Sequence, residues 1–150
     1  MIRTGEKMKK TLLTSLLLMI IGFILGNKIE IKKNFPEKYY FLQEGVYKND
    51  NIFEENVTDI SKKVLEYRNN QIYVYIGITK DKKVAEKISK IYQSNHIPIK
   101  IEEVWLQNEE FRINIEQLDL LIKKTSNFDE VTKIEEVALA SYEEILKSRE

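Results

Sequence analysis

The sequence predicts an α+β fold with a split βαβ arrangement, in which elements follow as β-α-β-β-α-β and a four-stranded antiparallel sheet carries two helices on one face. Four short stretches rich in aromatic and β-branched residues predict the strands, and turn residues bound them. Two stretches with apolar residues three and four positions apart predict the helices. We also expect an N-terminal transmembrane helix before this unit and a C-terminal helical hairpin after it.

Residues 1–26 predict a signal anchor. Residues 11–26 carry no charge, and four basic residues precede them, which is the layout of a signal peptide or membrane anchor. These sixteen residues fall just short of a full bilayer span, and flanking lysines can snorkel to close the gap. Cleavage after Gly26 is the alternative, but Ile24 fits the small-residue requirement of a cleavage site badly. We therefore expect a single-pass cell-membrane protein with its C-terminal part extracytoplasmic, an orientation favoured by the short N-terminal tail.

Residues 27–37 are polar and lysine-rich and predict a linker, after which residues 38–106 hold the predicted sheet. Asn69-Asn70 predicts a turn, and Asn95 is expected to end the second helix in a left-handed conformation. The predicted strands cover residues 39–47, 64–68, 72–79 and 99–106, and the predicted helices cover residues 52–61 and 81–94.

Two glycine-containing strands carry a resemblance to a known family. Leu42-Gln43-Glu44-Gly45-Val46-Tyr47 and Tyr73-Val74-Tyr75-Ile76-Gly77-Ile78 each precede a polar turn. This pattern resembles the SPOR domain, the sporulation-related repeat that binds peptidoglycan. The resemblance covers residues 38–106 and implies a membrane-anchored module of the cell envelope acting in cell division or sporulation. Tyr73 stands where the family usually has Arg, which puts one polar glycan contact in doubt.

Side chains alternate between the two faces of a strand, so one sheet face is expected to remain uncovered by helices. Aromatic rings stack on sugar rings, and amide or charged groups bond sugar hydroxyls, so such a face suits a glycan strand. The alternative is that these aromatic residues are simply good strand formers that the C-terminal helices cover. The predicted glycan-binding residues are Phe41, Gln43, Tyr73, Tyr75, Lys100 and Glu102.

Residues 107–150 predict an amphipathic helical hairpin, with one helix over 107–125 and a second that begins after Ser126 as N-cap. Its apolar stripe needs a partner, which can be the protein's own sheet, a second copy, or another membrane protein. If the hairpin covers the open sheet face, the glycan site is blocked.

Several single residues are expected to be structural. Trp105 is expected to anchor the C-terminal extension in a core, and His96 to lie in solvent or cap a helix. Gly45 and Gly77 are expected at bulges or strand ends. The acidic doublets at 109–110, 135–136 and 143–144 are expected on solvated helix faces.

The composition excludes most catalytic classes. No cysteine and a single histidine leave no thiolate metal site, no multi-histidine site and no cysteine nucleophile. Lysine greatly outnumbers arginine, which weakens any prediction of nucleic-acid binding. We therefore expect no enzyme activity, metal or cofactor. The leading prediction is peptidoglycan binding, and the alternative is a membrane-anchored protein-interaction or scaffold module on the same fold.

Overall fold

A computed structural model describes residues 35–48 and 62–149. Residues 33–150 form one compact unit. The predicted α+β class with a four-stranded antiparallel sheet is confirmed, and the described residues hold three helices. The strands are β1 (Glu37–Tyr47), β2 (Val64–Arg68), β3 (Gln71–Thr79) and β4 (Lys100–Leu106), and the helices are α1 (Lys82–Ser94), α2 (Glu109–Lys123) and α3 (Phe128–Lys147).

The sheet has the order β2-β3-β1-β4, and each neighbouring pair is antiparallel. The predicted turn between β2 and β3 is confirmed, because Arg68 pairs with Gln71 and only Asn69 and Asn70 lie between them. Both asparagines have positive φ, 52° and 59°, which is the geometry of a type I′ hairpin turn. Asparagine tolerates this left-handed region better than most residues, so the sequence fixes where the chain reverses.

The pairing of β1 with β3 is irregular near the middle of β1. The register shifts between Leu42 and Gln43 and again between Gln43 and Gly45. A Cβ atom on Gly45 would lie 2.8 Å from the Tyr47 hydroxyl oxygen, so no larger residue fits without a shift. The expected structural role of Gly45 at a bulge is confirmed.

Helix α1 matches the predicted helix over residues 81–94. The Asp81 side chain caps its N-terminus by accepting a hydrogen bond from the Lys83 backbone N–H. The left-handed residue after the helix is His96, with φ of 61°, and not Asn95, so that detail of the prediction is wrong. The helix contacts β1, β3 and β4 through a buried stripe that includes Val84, Ala85, Ile88 and Tyr92.

The predicted helix over residues 52–61 and the predicted membrane segment over 11–26 lie outside the described residues. Among the helices that the structure does describe, none is both long and apolar enough to cross a bilayer.

Helices α2 and α3 form the predicted C-terminal hairpin, and they pack on the protein's own sheet. Asn108 caps α2, and Asn127 caps α3 by accepting a hydrogen bond from the Glu130 backbone N–H at 3.1 Å. The predicted cap at Ser126 is therefore one residue early. Both helices contact β3 and each other, so the first of the three expected partners of the apolar stripe is the one observed.

Candidate functional site

The strand register brings the six predicted site residues onto one face of the sheet, which we call the aromatic face. Phe41 pairs with Glu102, and Gln43 pairs with Lys100 on one side and with Tyr75 on the other. Directly paired residues of an antiparallel sheet point to the same side. Tyr73 follows the same alternation, two residues from Tyr75.

The aromatic face is covered at Phe41, Gln43 and Tyr75, which corrects the expectation of an uncovered surface at these residues. Phe41 and Tyr75 are each 0% exposed, and Gln43 is also buried. The ring of Tyr142 in α3 meets the Phe41 ring edge-on, with the ring centroids 4.9 Å apart. Phe41 in turn meets the Tyr75 ring edge-on at 5.0 Å. The hairpin covers this part of the face because burying large aromatic side chains against its apolar stripe removes much apolar surface from water, which stabilises the folded state.

The covered part of the face continues toward the start of β1. Tyr39 lies against Phe111 of α2, with ring centroids 5.2 Å apart, and Phe111 lies 6.0 Å from Tyr142. Five rings from one sheet and two helices thus form one cluster: Tyr39, Phe41, Tyr75, Phe111 and Tyr142. Favourable ring pairs contribute about 0.5–1.5 kcal/mol each beyond the area they bury.

A charged network fixes the hydroxyl groups of the two central tyrosines. Tyr75 donates a hydrogen bond to Glu102 Oε2 at 2.7 Å and accepts one from the Arg68 guanidinium. Tyr142 donates to Glu66, whose other carboxylate oxygen lies 3.2 Å from Arg68 Nε. Burial raises the pKa of both tyrosines, and the neighbouring carboxylates raise it further. These hydroxyls therefore remain protonated and serve as structural donors.

An open strip remains where β1 and β3 extend past the hairpin, and it consists of Val46, Arg68, Tyr73, Lys100 and Glu102. The Arg68 guanidinium lies over the Tyr73 ring, 4.1 Å from its centroid. Lys100 is exposed, and Tyr73 and Glu102 are half-buried. The strip holds three of the six predicted site residues.

The sequence prediction missed two residues of the strip, Val46 and Arg68, and Arg68 is the charged one. It places a guanidinium group beside position 73, where the resemblance led us to expect an arginine and the sequence has tyrosine. A signal was present, because the Asn69-Asn70 turn pairs Glu66 with Tyr73 and so brings the end of β2 alongside Tyr73.

Trp105 does not anchor the C-terminal extension, which corrects a second expectation. Its side chain is 62% exposed, and it pairs with Lys38, whose ammonium nitrogen lies 5.5 Å from the centre of the ring. Trp105 points to the face opposite its buried neighbour Leu106, because adjacent strand residues alternate. Phe111 therefore fills the role expected of Trp105.

The acidic doublet at 135–136 was predicted to lie in solvent, and this prediction is wrong for Glu135. Its side chain is buried between α3 and the sheet. Its Oε2 atom accepts a hydrogen bond of 2.6 Å from the Ile78 backbone N–H, and its Oε1 atom has no hydrogen-bond partner among the described residues. Burial raises the pKa of Glu135 well above its ordinary value, and the nearby Asp119 carboxylate adds to this. The site therefore favours the uncharged form of this carboxyl group.

Asp119 makes a second set of hydrogen bonds between the hairpin and the end of β3. Its carboxylate accepts hydrogen bonds from the Thr79 hydroxyl at 2.5 Å and from the backbone N–H groups of Lys80 and Asp81 at 3.0 and 3.1 Å. Burial raises the pKa of Asp119 to about 6, against the opposing effect of these donors. Both buried carboxyl groups are engaged with the backbone of the sheet end, which is a structural arrangement.

In residues 35–48 and 62–149, no group of three or more His, Asp or Glu side chains is placed to hold a metal ion. The open strip offers an aromatic ring with charged groups around it, which can bind a polar ligand. Comparison of the chain with models of protein families, with curated proteins and with solved structures found no match.

Proposed function

We propose that this chain is a membrane-anchored, extracytoplasmic interaction module that binds a protein partner and does not hold a glycan strand on its aromatic face. In this proposal residues 11–26 anchor the chain in the cell membrane, and the sheet domain with its hairpin forms the binding part.

The order and direction of the strands support a split βαβ fold for the proposed module. β1 and β2 are both antiparallel to β3, which lies between them, so they are parallel to each other. A connection between parallel strands crosses the sheet and usually contains a helix of a dozen or more residues with its loops. Residues 48–63 are long enough for this, and the predicted helix over 52–61 falls inside them. β3, α1 and β4 form the second such unit, with β1 between the two strands.

The burial of Phe41 and Tyr75 under Tyr142 is the observation that carries the functional side. A sugar ring stacks only on an aromatic ring that it can reach, and here the hairpin already occupies that position. Exposing the face would require undocking both helices and breaking the hydrogen bonds of two buried carboxyl groups, Glu135 and Asp119. The covered face is therefore better suited to stability than to glycan binding.

Peptidoglycan binding is the second candidate, and the open strip favours it. Tyr73 under the Arg68 guanidinium, with Lys100 and Glu102 nearby, combines an aromatic surface with groups that can bond sugar hydroxyls or the charged groups of stem peptides. This site would be smaller than the six-residue face that the sequence predicts.

Sedimentation with purified peptidoglycan separates the two candidates. We would use the full chain in detergent micelles, with peptidoglycan intact and stripped of stem peptides. Tyr73→Ala removes the centre of the open strip. Tyr67→Ala is the matched control, because Tyr67 is an exposed tyrosine of the neighbouring strand on the opposite face. No sedimentation of the folded chain with either preparation supports the interaction module, whereas saturable binding that only Tyr73→Ala abolishes would replace it with the glycan-binding candidate.

Photo-crosslinking in intact cells tests for the partner directly. A photoreactive side chain at Ala140, which is exposed on α3, should yield a discrete cross-linked species. The same group at Lys90, exposed on α1, should not yield that species. The absence of any discrete product from either position would count against an interaction module.

A further inference from the structure

Two large aromatic side chains are exposed at the same end of the sheet. Phe35 is 78% exposed and Trp105 is 62% exposed. Lys38 pairs with Trp105 and Glu37 pairs with Leu106, so this end is where β1 begins and β4 finishes. Phe35 stands two residues before Glu37, and its Cα atom therefore lies within about 7 Å of that last pair.

The surroundings of Trp105 resemble those of tryptophan at a membrane–water interface. The indole ring is amphipathic, with an apolar body and one N–H donor, and such rings are enriched at the level of lipid headgroups. The Lys38 ammonium group lies 5.5 Å from the centre of the ring and 3.1 Å from Glu103. A lysine whose stem runs along apolar surface while its charge stays in the polar layer is the usual companion of such a ring.

The length of the chain before Phe35 places this end of the domain near the bilayer. Phe35 is only nine residues from Gly26, where the predicted membrane segment ends. Nine residues reach about 30 Å at full extension. The other end of the sheet is ten residues further along β1, or about 30 Å away. The tether also keeps this surface at a high effective concentration near the membrane. Weak contacts are therefore enough to hold it against the lipid.

A second copy of the chain is a poorer occupant of this surface. Two aromatic side chains present at most about 500 Å². A stable protein–protein interface buries about 800 Å² on each partner. A lipid surface sets no such minimum, because the tether already supplies most of the association.

We propose that Phe35 and Trp105 insert into the headgroup layer of the lipid bilayer that anchors the chain, so that the sheet stands with the start of β1 on the membrane. This inference rests on the proposed membrane anchor. The resulting orientation turns the open strip away from the lipid, because Tyr73 pairs with Val46 near the other end of β1.

The test uses Trp105 as its own reporter, because it is the single tryptophan of the chain. The full chain is reconstituted into vesicles of phosphatidylcholine and phosphatidylglycerol. These vesicles contain lipids with a nitroxide quencher either at the headgroup or deep in the acyl chain. We expect Trp105 emission to shift to shorter wavelength than in water and to lose most of its intensity to the headgroup quencher, with less loss to the deep one.

The matched control moves the reporter to the far end of the sheet by combining Trp105→Phe with Tyr67→Trp. Tyr67 is 69% exposed, and it pairs with Ile72, which pairs with Tyr47 at the end of β1. We expect its emission to be that of a water-exposed indole and to be unquenched by either lipid. Equal quenching at both positions would overturn the proposed upright orientation.

Flotation of the vesicles distinguishes failure of this inference from failure of the anchor. A chain that does not float with the vesicles lacks the proposed anchor, and both proposals fall. If the chain floats but Trp105 stays water-exposed and unquenched, the result supports the anchor and refutes the lipid contact of Trp105. An emission shift that depends on protein concentration, without quenching by lipid, would assign the surface to a second copy and also refute the contact.

Discussion

Replacing Glu135 with glutamine tests whether an uncharged carboxyl group fastens the C-terminal hairpin to the sheet. Glutamine has nearly the same shape, keeps an oxygen that can accept the Ile78 N–H, and cannot ionise. Burial disfavours a negative charge on this carboxyl group, and the nearby Asp119 carboxylate of α2 disfavours it further. The substitution therefore removes one titration and keeps an acceptor for the Ile78 N–H.

The expected change of stability with pH follows from the direction of the Glu135 pKa shift. The folded-state pKa lies well above the ordinary value of 4.5, so the folded chain binds a proton that the unfolded chain has released. The free energy of unfolding of the parent protein must then fall by about 1.4 kcal/mol per pH unit as the pH rises from the unfolded-state pKa through the folded-state pKa. Glu135→Gln removes this loss, so its stability relative to the parent should rise with pH across that interval, by up to about 1.4 kcal/mol per pH unit.

Urea unfolding of residues 33–150 at several pH values between about 4.5 and 7 measures this difference directly. Asp119, whose pKa is about 6, titrates in both proteins, so the difference between them reports the titration of Glu135 together with its coupling to Asp119. A constant offset between the two proteins is compatible with the argument, since the amide and the carboxyl group differ in hydrogen bonding. A stability difference that does not change with pH would refute the claim that Glu135 is uncharged in the folded protein.

Three further substitutions test the packing of the hairpin and the sheet, each by the urea midpoint of residues 33–150. Tyr142→Ala should cost about 3–5 kcal/mol by removing the ring that covers Phe41; a loss below about 1 kcal/mol would mean that the face is not covered in solution. Gly77→Ala should cost about 1–3 kcal/mol, because the new Cβ would lie 2.9 Å from Glu135 Oε2; an unchanged midpoint would place α3 further from β3. Asn70→Gly should stabilise by up to about 1 kcal/mol, since glycine takes the positive φ of this turn without strain; destabilisation would exclude the type I′ geometry.

The strands and helices were predictable because their signals are local. The turn asparagines, the alternation along β3 and the cap at Asp81 each act over a few residues, and the predicted bounds of the described elements lie within two residues of the observed ones. The position of the hairpin carries no such local signal. An aromatic residue such as Phe41 favours a strand equally whether a helix or water lies above it, so the sequence left the covered and open faces undecided.

Glu135 shows why part of the site escaped prediction. Beside Glu136 it looks like half of a solvated doublet, and the backbone N–H that it meets belongs to Ile78, far away in the chain. A signal was nevertheless present, because Glu135 lies four residues from both Val131 and Leu139, which are buried. A carboxylate within an apolar helical stripe is a reason to expect a buried partner.

The ring cluster has a consequence for how the chain is made. Tyr39 and Phe41 are synthesised early in the domain, whereas Phe111 and Tyr142, which cover them, emerge from the ribosome only after most of the domain has been translated. Until then the first strand exposes its aromatic side chains, and the sheet has no cover on this face. The aromatic core is therefore completed late in synthesis. A chain truncated before α3 would expose an apolar aromatic surface and would be prone to aggregation and proteolysis.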